Sequence, residues 1–378
     1  MKKVLILYAK YGGGHLSAAK SIQTYIEDHY FYNTDVKCVD CVEFINPFVS
    51  TVTTNAYKNM TKKTPKLWKR LYQKTRKGPL ASISSKANDI MANRLNRLFK
   101  EYKPDIVIST HPFASQMTSY LKAHHKTDCV LASVLTDFAP HDQWLVGCEY
   151  GDYFFVSNNK MRQDLIDSYN IPEEKVFATG VPLANTFSYP FYDDETYKLY
   201  HLNPNKKLIL FFGGGEFGLG QKSTVTILRS LSRHLDEYQI IAISGKNNKM
   251  NTAFLELYDE LQNEDLHILR FSNDIPDLMH ISSLVVTKPG GLTSSESLAS
   301  HLPIIIINPI PGQEEENAEF LENSGAAIWI KNDDNIDEVI DGILNNKDKL
   351  EDMKQKAIQI AKPASTMDIC QILLGKLN

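Results

Sequence analysis

The chain of 378 residues has 43% apolar residues and a formal charge of −4, enough apolar content for sizeable cores and enough length for about two domains. Five cysteines, an odd number, define no disulfide framework, and Cys38-x-x-Cys41 has no second pair or His cluster at zinc spacing, so ordinary reduced thiols are expected. No apolar run approaches the roughly 18–20 residues of a membrane span, and the apolar stretch of MKKVLILYAK is shorter than a secretion-signal core, so it is read as a first buried strand.

In chain order, β-rich apolar runs alternate with segments of helical period: KVLILYA, DVKCVD, DIVIST, CVLASVL, YFFVS and KVFAT, then KLILFF, QIIAIS, LHILRF, LVVTK, PIIIIN and AAIWI. Each run is continuously apolar rather than alternating. That pattern predicts strands covered on both faces, hence parallel sheets with crossover helices, an α/β architecture present twice. Leu183 to Lys207, rich in aromatic and polar residues, reads as the link between the two series. After Pro363 a short apolar helix is expected, and it needs a surface to pack on. Neither an internal repeat nor a low-complexity tract interrupts this order.

The halves differ in charge. Residues 1–190 hold 24 Lys and Arg against 17 Asp and Glu, and the remainder holds 17 against 28. Phe44 to Asn88 contains no acid, while Lys62, Lys63, Lys66, Lys69 and Arg70 gather around Trp68. Cations interleaved with amphipathic aromatics fit an anionic bilayer surface, each contributing on the order of 1 kcal/mol close to the membrane. A solvated helix face and single-stranded nucleic acid are the competing readings, and nucleic acid is the least favoured.

Glycine turns follow three of the strands. Gly12-Gly13-Gly14 ends the first and precedes a helix expected from about His15. It is neither a dinucleotide fingerprint nor a P-loop, lacking the third glycine of one and the Lys-Ser/Thr of the other. Bare backbone at a helix N-terminus suits an approaching ligand, and His15 there is either a solvent-facing residue or a base for a substrate hydroxyl. In the second half, Gly213-Gly214-Gly215 and the run Lys288-Pro289-Gly290-Gly291-Leu292-Thr293 offer donors and a helix dipole to a diphosphate. Glu296, placed in the first helical turn, can accept both hydroxyls of a ribose. Gln313, Glu314 and Asn317 suit the hydroxyls of a hexose. Phe271 either stacks on a base or fills the core. No Asp-x-Asp occurs, so the leaving diphosphate is expected to be held without a metal, and no cofactor is expected.

YGGGH, TDFAPHDQW (Thr136 to Trp144), ATGVPLANTF, SGKN, TKPGGLTSSES and NPIPGQEEENAEFLENSGAA occur in family order across nearly the whole chain. The chain thereby resembles the processive diacylglycerol glucosyltransferases and plant-type monogalactosyldiacylglycerol synthases. It resembles more distantly the N-acetylglucosaminyltransferase that completes the peptidoglycan lipid precursor.

The resemblance implies a glycosyltransferase-B fold, two Rossmann-like domains facing across a cleft. Residues 1–186 would meet the membrane and acceptor, 187–362 would bind a UDP-sugar, and 363–378 would return to the first domain. It implies inverting, metal-independent transfer of a hexose, glucose favoured over galactose, to diacylglycerol at the cytoplasmic face of an anionic membrane. His15 and Asp137 would be catalytic, with His15 favoured as base, and Gly13, Gly14, His141 and Trp144 would lie on the acceptor side. Gly214, Gly215, Lys246, Phe271, Lys288, Gly290 to Thr293, Glu296, Gln313, Glu314 and Asn317 would serve the donor. Ala184 stands where related sequences usually have Arg, and Lys246 or Lys288 is the candidate substitute for that cation. A non-hydrolysing UDP-sugar 2-epimerase and a UDP-sugar sensor without turnover are the rival readings.

Overall fold

A computed structural model describes residues 1–11, 13–45, 79–188, 193–214 and 220–376. The first six apolar runs form β1 (Lys2–Tyr8), β2 (Thr34–Asp40), β3 (Ile106–Ser109), β4 (Val130–Val134), β5 (Tyr153–Phe155) and β6 (Val176–Phe177). They make one parallel sheet in the order β2-β1-β3-β4-β5-β6. The continuous apolar character of β1 has the expected cause. Val4 and Ile6 pack with Ile22 and Ile26, while Leu5 and Leu7 enter a separate cluster with Leu95 and Met117. Successive side chains of a strand point to opposite faces, so a strand covered twice must be apolar throughout.

The other six runs form β7 (Lys207–Phe212), β8 (Tyr238–Ile243), β9 (Leu266–Leu269), β10 (Ser282–Thr287), β11 (Ile304–Ile306) and β12 (Ala327–Trp329). Their parallel sheet runs β12-β11-β10-β7-β8-β9 around a core that includes Phe211, Phe254, Val286 and Ile305. Strand order reverses at β1/β3 in one sheet and at β7/β10 in the other. Such reversals leave a crevice beyond the carboxyl ends of the strands, where open α/β sheets bind ligands.

The chain divides into two compact units, Met1–Asn185 with Pro311–Gln313 and Lys362–Asn378, and Thr186–Ile310 with Glu314–Ala361. Among the described residues no helix is long and apolar enough to cross a membrane.

The last helix, Ser365–Leu374, puts Ile369, Cys370 and Leu373 into the cluster that holds Val4 and Ile6. Two hydroxyls fasten its start. Ser365 Oγ donates to the Val181 carbonyl at 2.8 Å and Thr366 Oγ1 donates to that of Leu183 at 2.6 Å. This approach explains the glycine of ATGVPLANTF: Gly180 has φ +99°, and a β-carbon there would lie 2.4 Å from Lys362 Cβ. Gly180→Ala is therefore expected to lower unfolding free energy by about 1–3 kcal/mol in denaturant titration. Unchanged stability would mean that the terminal segment is not held at this point.

Candidate active site

The helix Gly14–His29 starts directly after β1, which sets His15 in its first turn at the β1/β3 switch point. His15 Nδ1 lies 2.7 Å from the carbonyl oxygen of Thr110, at the end of β3, and 3.0 Å from Thr136 Oγ1, at the end of β4. A carbonyl only accepts, so Nδ1 carries the proton and Nε2 is left with a lone pair. Thr110 Oγ1 in turn donates to the His15 carbonyl at 2.8 Å, clamping the helix start to β3. Burial pushes the His15 pKa down from 6.5 to about 4, partly offset by the Thr110 hydrogen bond, so the ring is neutral at physiological pH. Gly13 caps the helix with no side-chain hydrogen bond, and among the described residues a β-carbon there would meet nothing within 4 Å.

Asp137 follows Thr136 and is half-buried. Its carbonyl accepts from Ser157 Oγ at 2.7 Å, and the Phe138 carbonyl accepts from Asn158 Nδ2 at 3.0 Å, so the loop after β4 is pinned from β5's end. Half-buried His141 caps the short turn Asp142–Trp144, its Nδ1 accepting from Gln143 N at 3.2 Å. Trp144 departs from expectation. Only 3% exposed, it belongs to the core cluster of Leu135, Phe154 and Leu165. A tryptophan in a polar motif gives no sign of its side chain's direction until the neighbouring strands are placed.

The site also includes residues that the motifs did not single out. Thr110 sets the tautomer of His15, and His111 stands with its ring centroid 4.6 Å from that of His15, edge-on at 75°. Both lie in STHPF, a strand end followed by a helix-capping residue, but nothing local in the sequence places β3 beside β1.

In the second unit, the turn Lys288–Gly290 leads from β10 into the helix Gly291–Ala299, whose N-terminus presents Gly291, Leu292 and Thr293. Glu296 sits in the second turn of that helix rather than the first. Burial raises its carboxyl from 4.5 to about 7. Lys288 is ion-paired with Glu314, whose other oxygen accepts from Ile310 N at 2.8 Å. The Lys288 charge is already engaged, which weakens it as a substitute for the cation missing at Ala184.

Gln313 opens the helix Gln313–Asn323. Asn317, expected at the sugar, is fully buried and donates from Nδ2 to the Pro289 carbonyl at 3.0 Å. It braces the glycine turn from behind. Phe271, just beyond β9, is 69% exposed, so it does not fill the core. Lys246 is exposed beyond β8, and Gly214 holds φ +79° after β7. Gly215 and the basic-aromatic residues Lys62, Lys63, Lys66, Trp68, Lys69 and Arg70 lie outside the described residues.

Residues 15–183 match the family model for monogalactosyldiacylglycerol (MGDG) synthase, and residues 208–368 match the glycosyltransferase family 28 C-terminal domain. The chain is 31% identical over 365 residues to the processive diacylglycerol beta-glucosyltransferase of Bacillus cereus (strain G9842), covering 96% of this chain and 91% of that protein. It is 30% identical over 372 residues to the protein of the same name from Bacillus cytotoxicus, covering 98% and 93%. Among solved structures, a UDP complex of Staphylococcus aureus MnaA superposes with TM-score 0.65 at 14% identity, covering 100% of this chain and 98% of that one. Acinetobacter baumannii MurG gives 0.63 at 15% identity, with both chains fully covered.

The two parallel sheets with their flanking helices are those of the GT-B fold. The chain belongs to the diacylglycerol glycosyltransferase family.

The tautomer of His15 is directly measurable. In ¹⁵N-resolved NMR of the imidazoles, the ring is expected to stay neutral with its proton on Nδ1 down to about pH 4. The unfolded ring protonates near 6.5, so this residue's contribution to stability is complete above that pH and is lost as pH falls towards 4. An Nε2-protonated ring, or titration near 6.5, would contradict the assignment.

Proposed function

We propose that the protein transfers a hexose, glucose in preference to galactose, from a UDP-sugar to 1,2-diacylglycerol with inversion and without a metal ion. The observation that carries this reading is the neutral, Nδ1-protonated His15, with Nε2 available as a base beyond β1. In a single displacement the acceptor hydroxyl loses its proton to His15 Nε2 as its oxygen bonds the anomeric carbon. The bond from that carbon to the diphosphate breaks, and UDP leaves with the electron pair. Asp137 orients the base or supports the positive charge that develops at the sugar ring.

The leaving diphosphate is held by backbone N–H groups of Gly290 to Thr293 at the start of the helix Gly291–Ala299, aided by the helix dipole, and by the turn at Gly214. Exposed Phe271 borders the uracil. Glu296 accepts the ribose hydroxyls, and Gln313 and Glu314 contact the hexose, with Asn317 behind them. Glucose and inversion are supported by the relatives named beta-glucosyltransferases, since a beta product from an alpha-linked nucleotide sugar requires inversion. The acceptor is drawn from the cytoplasmic face of an anionic bilayer, to which the acid-free stretch from Phe44 to Asn88 binds peripherally.

Purified protein given anionic vesicles containing diacylglycerol, together with EDTA and labelled UDP-glucose or UDP-galactose, is expected to yield a labelled glycolipid, more from UDP-glucose. No labelled lipid from either donor, with UDP bound normally, would contradict the proposal.

Glu296 gives an independent check on donor binding. Ribose hydroxyls donate to an ionised carboxylate, so binding is strongest above the raised pKa of about 7 and weakens as pH falls through it. Affinity for UDP-glucose, whose doubly esterified diphosphate does not titrate in this range, should drop about tenfold between pH 8 and pH 6 by calorimetry, and Glu296→Gln should remove that dependence. A pH-independent wild-type affinity would count against the ribose contact.

A further inference from the structure

The hydroxyl to be activated needs more than a base, because an alcohol is at once a hydrogen-bond donor and an acceptor. His15 Nε2 meets only the donor side. A candidate for the acceptor side is His111, at the end of β3 beside β1, its ring centroid 4.6 Å from that of His15. Its Nδ1 accepts from Phe113 N at 3.2 Å, capping the helix Pro112–Ala123. Nδ1 is therefore unprotonated, and the single proton of a neutral ring resides on Nε2. Neutrality follows from the surroundings: the side chain is buried, and the nearby imidazoles of His15 and His141 oppose a positive charge. Among the described residues Nε2 has no hydrogen-bond partner.

The ring is also held in place. Tyr11 lies with its centroid 5.2 Å away and Phe113 4.8 Å away, while Ser109 Oγ donates to the His111 carbonyl at 2.8 Å. The two imidazoles, 4.6 Å apart and edge-on, thus carry complementary tautomers. One offers a lone pair and the other an N–H, which matches the two faces of a single hydroxyl oxygen.

We infer that His111 is a further acceptor-side residue, its Nε2–H holding the oxygen of the hydroxyl whose proton passes to His15 Nε2. The inference rests on the proposed transfer to a lipid alcohol. Fixing that oxygen turns its proton towards His15 and a lone pair towards the anomeric carbon. No proton leaves His111 in the step.

The test separates this role from the capping role of the same ring. Asparagine is a good helix cap, so His111→Asn keeps an acceptor for Phe113 N but lacks a donor at the Nε2 position. With labelled UDP-glucose and anionic vesicles containing diacylglycerol, its turnover should fall about ten- to hundredfold, while UDP affinity and thermal midpoint stay near wild type. His111→Gln gives up the cap but returns an N–H near the Nε2 position, and its folded fraction should turn over faster than the Asn variant. Turnover of His111→Asn within about twofold of wild type, or Gln no faster than Asn, would overturn the inference. Wild-type protein that binds UDP but makes no labelled lipid would instead overturn the functional proposal.

Discussion

The hydrogen bond from His15 Nδ1 to the Thr110 carbonyl is the constraint on which the geometry at the end of β1 depends. It exists because β1 and β3 are neighbours although more than 95 residues separate them in the chain. The same bond fixes the tautomer, leaves the lone pair on Nε2 and holds the ring in surroundings that keep it neutral. A histidine at the end of β1 without that carbonyl would sample both tautomers, and in the Nε2-protonated one the lone pair would sit on the wrong nitrogen. The reciprocal bond from Thr110 Oγ1 to the His15 carbonyl makes the arrangement two-sided, so the start of the helix cannot drift from the sheet.

The second unit uses a different device. Its polar groups are braced by one another rather than by a neighbouring strand: Lys288 with Glu314, Glu314 with Ile310 N, and Asn317 with the Pro289 carbonyl. Each pairing offsets the cost of keeping charge and amide groups out of water, and together they hold the glycine turn in shape before any ligand arrives. Glu296 is the exception, a half-buried carboxyl whose raised pKa comes from desolvation without a compensating cation. Buried groups left in that condition are common at binding sites, where the ligand supplies the missing partner.

Much of this was legible in the sequence. The strands could be read because a doubly covered strand must be apolar at every position, and the terminal helix because its apolar residues needed a surface. Gly13-Gly14-His15 and Gly290 to Thr293 were legible as strand-to-helix turns. Side-chain direction was not legible. Trp144 and Asn317 carry groups suited to a ligand, yet the fold spends one on its core and the other on a backbone carbonyl. His111 escaped notice for the opposite reason, since its meaning comes from strand order, which no local pattern records. The low-identity structures agree in fold, but a shared fold hosts more than one chemistry, so the family assignment rests on the full-length relatives.

Whether His15 receives the acceptor proton is decided by the turnover of His15→Ala beside Asp137→Asn. With both donor and lipid saturating, His15→Ala is expected to lose about 10²–10⁴-fold in kcat while UDP affinity is retained. Near-normal turnover of His15→Ala, with activity abolished in Asp137→Asn, would contradict it and assign the proton to the carboxylate.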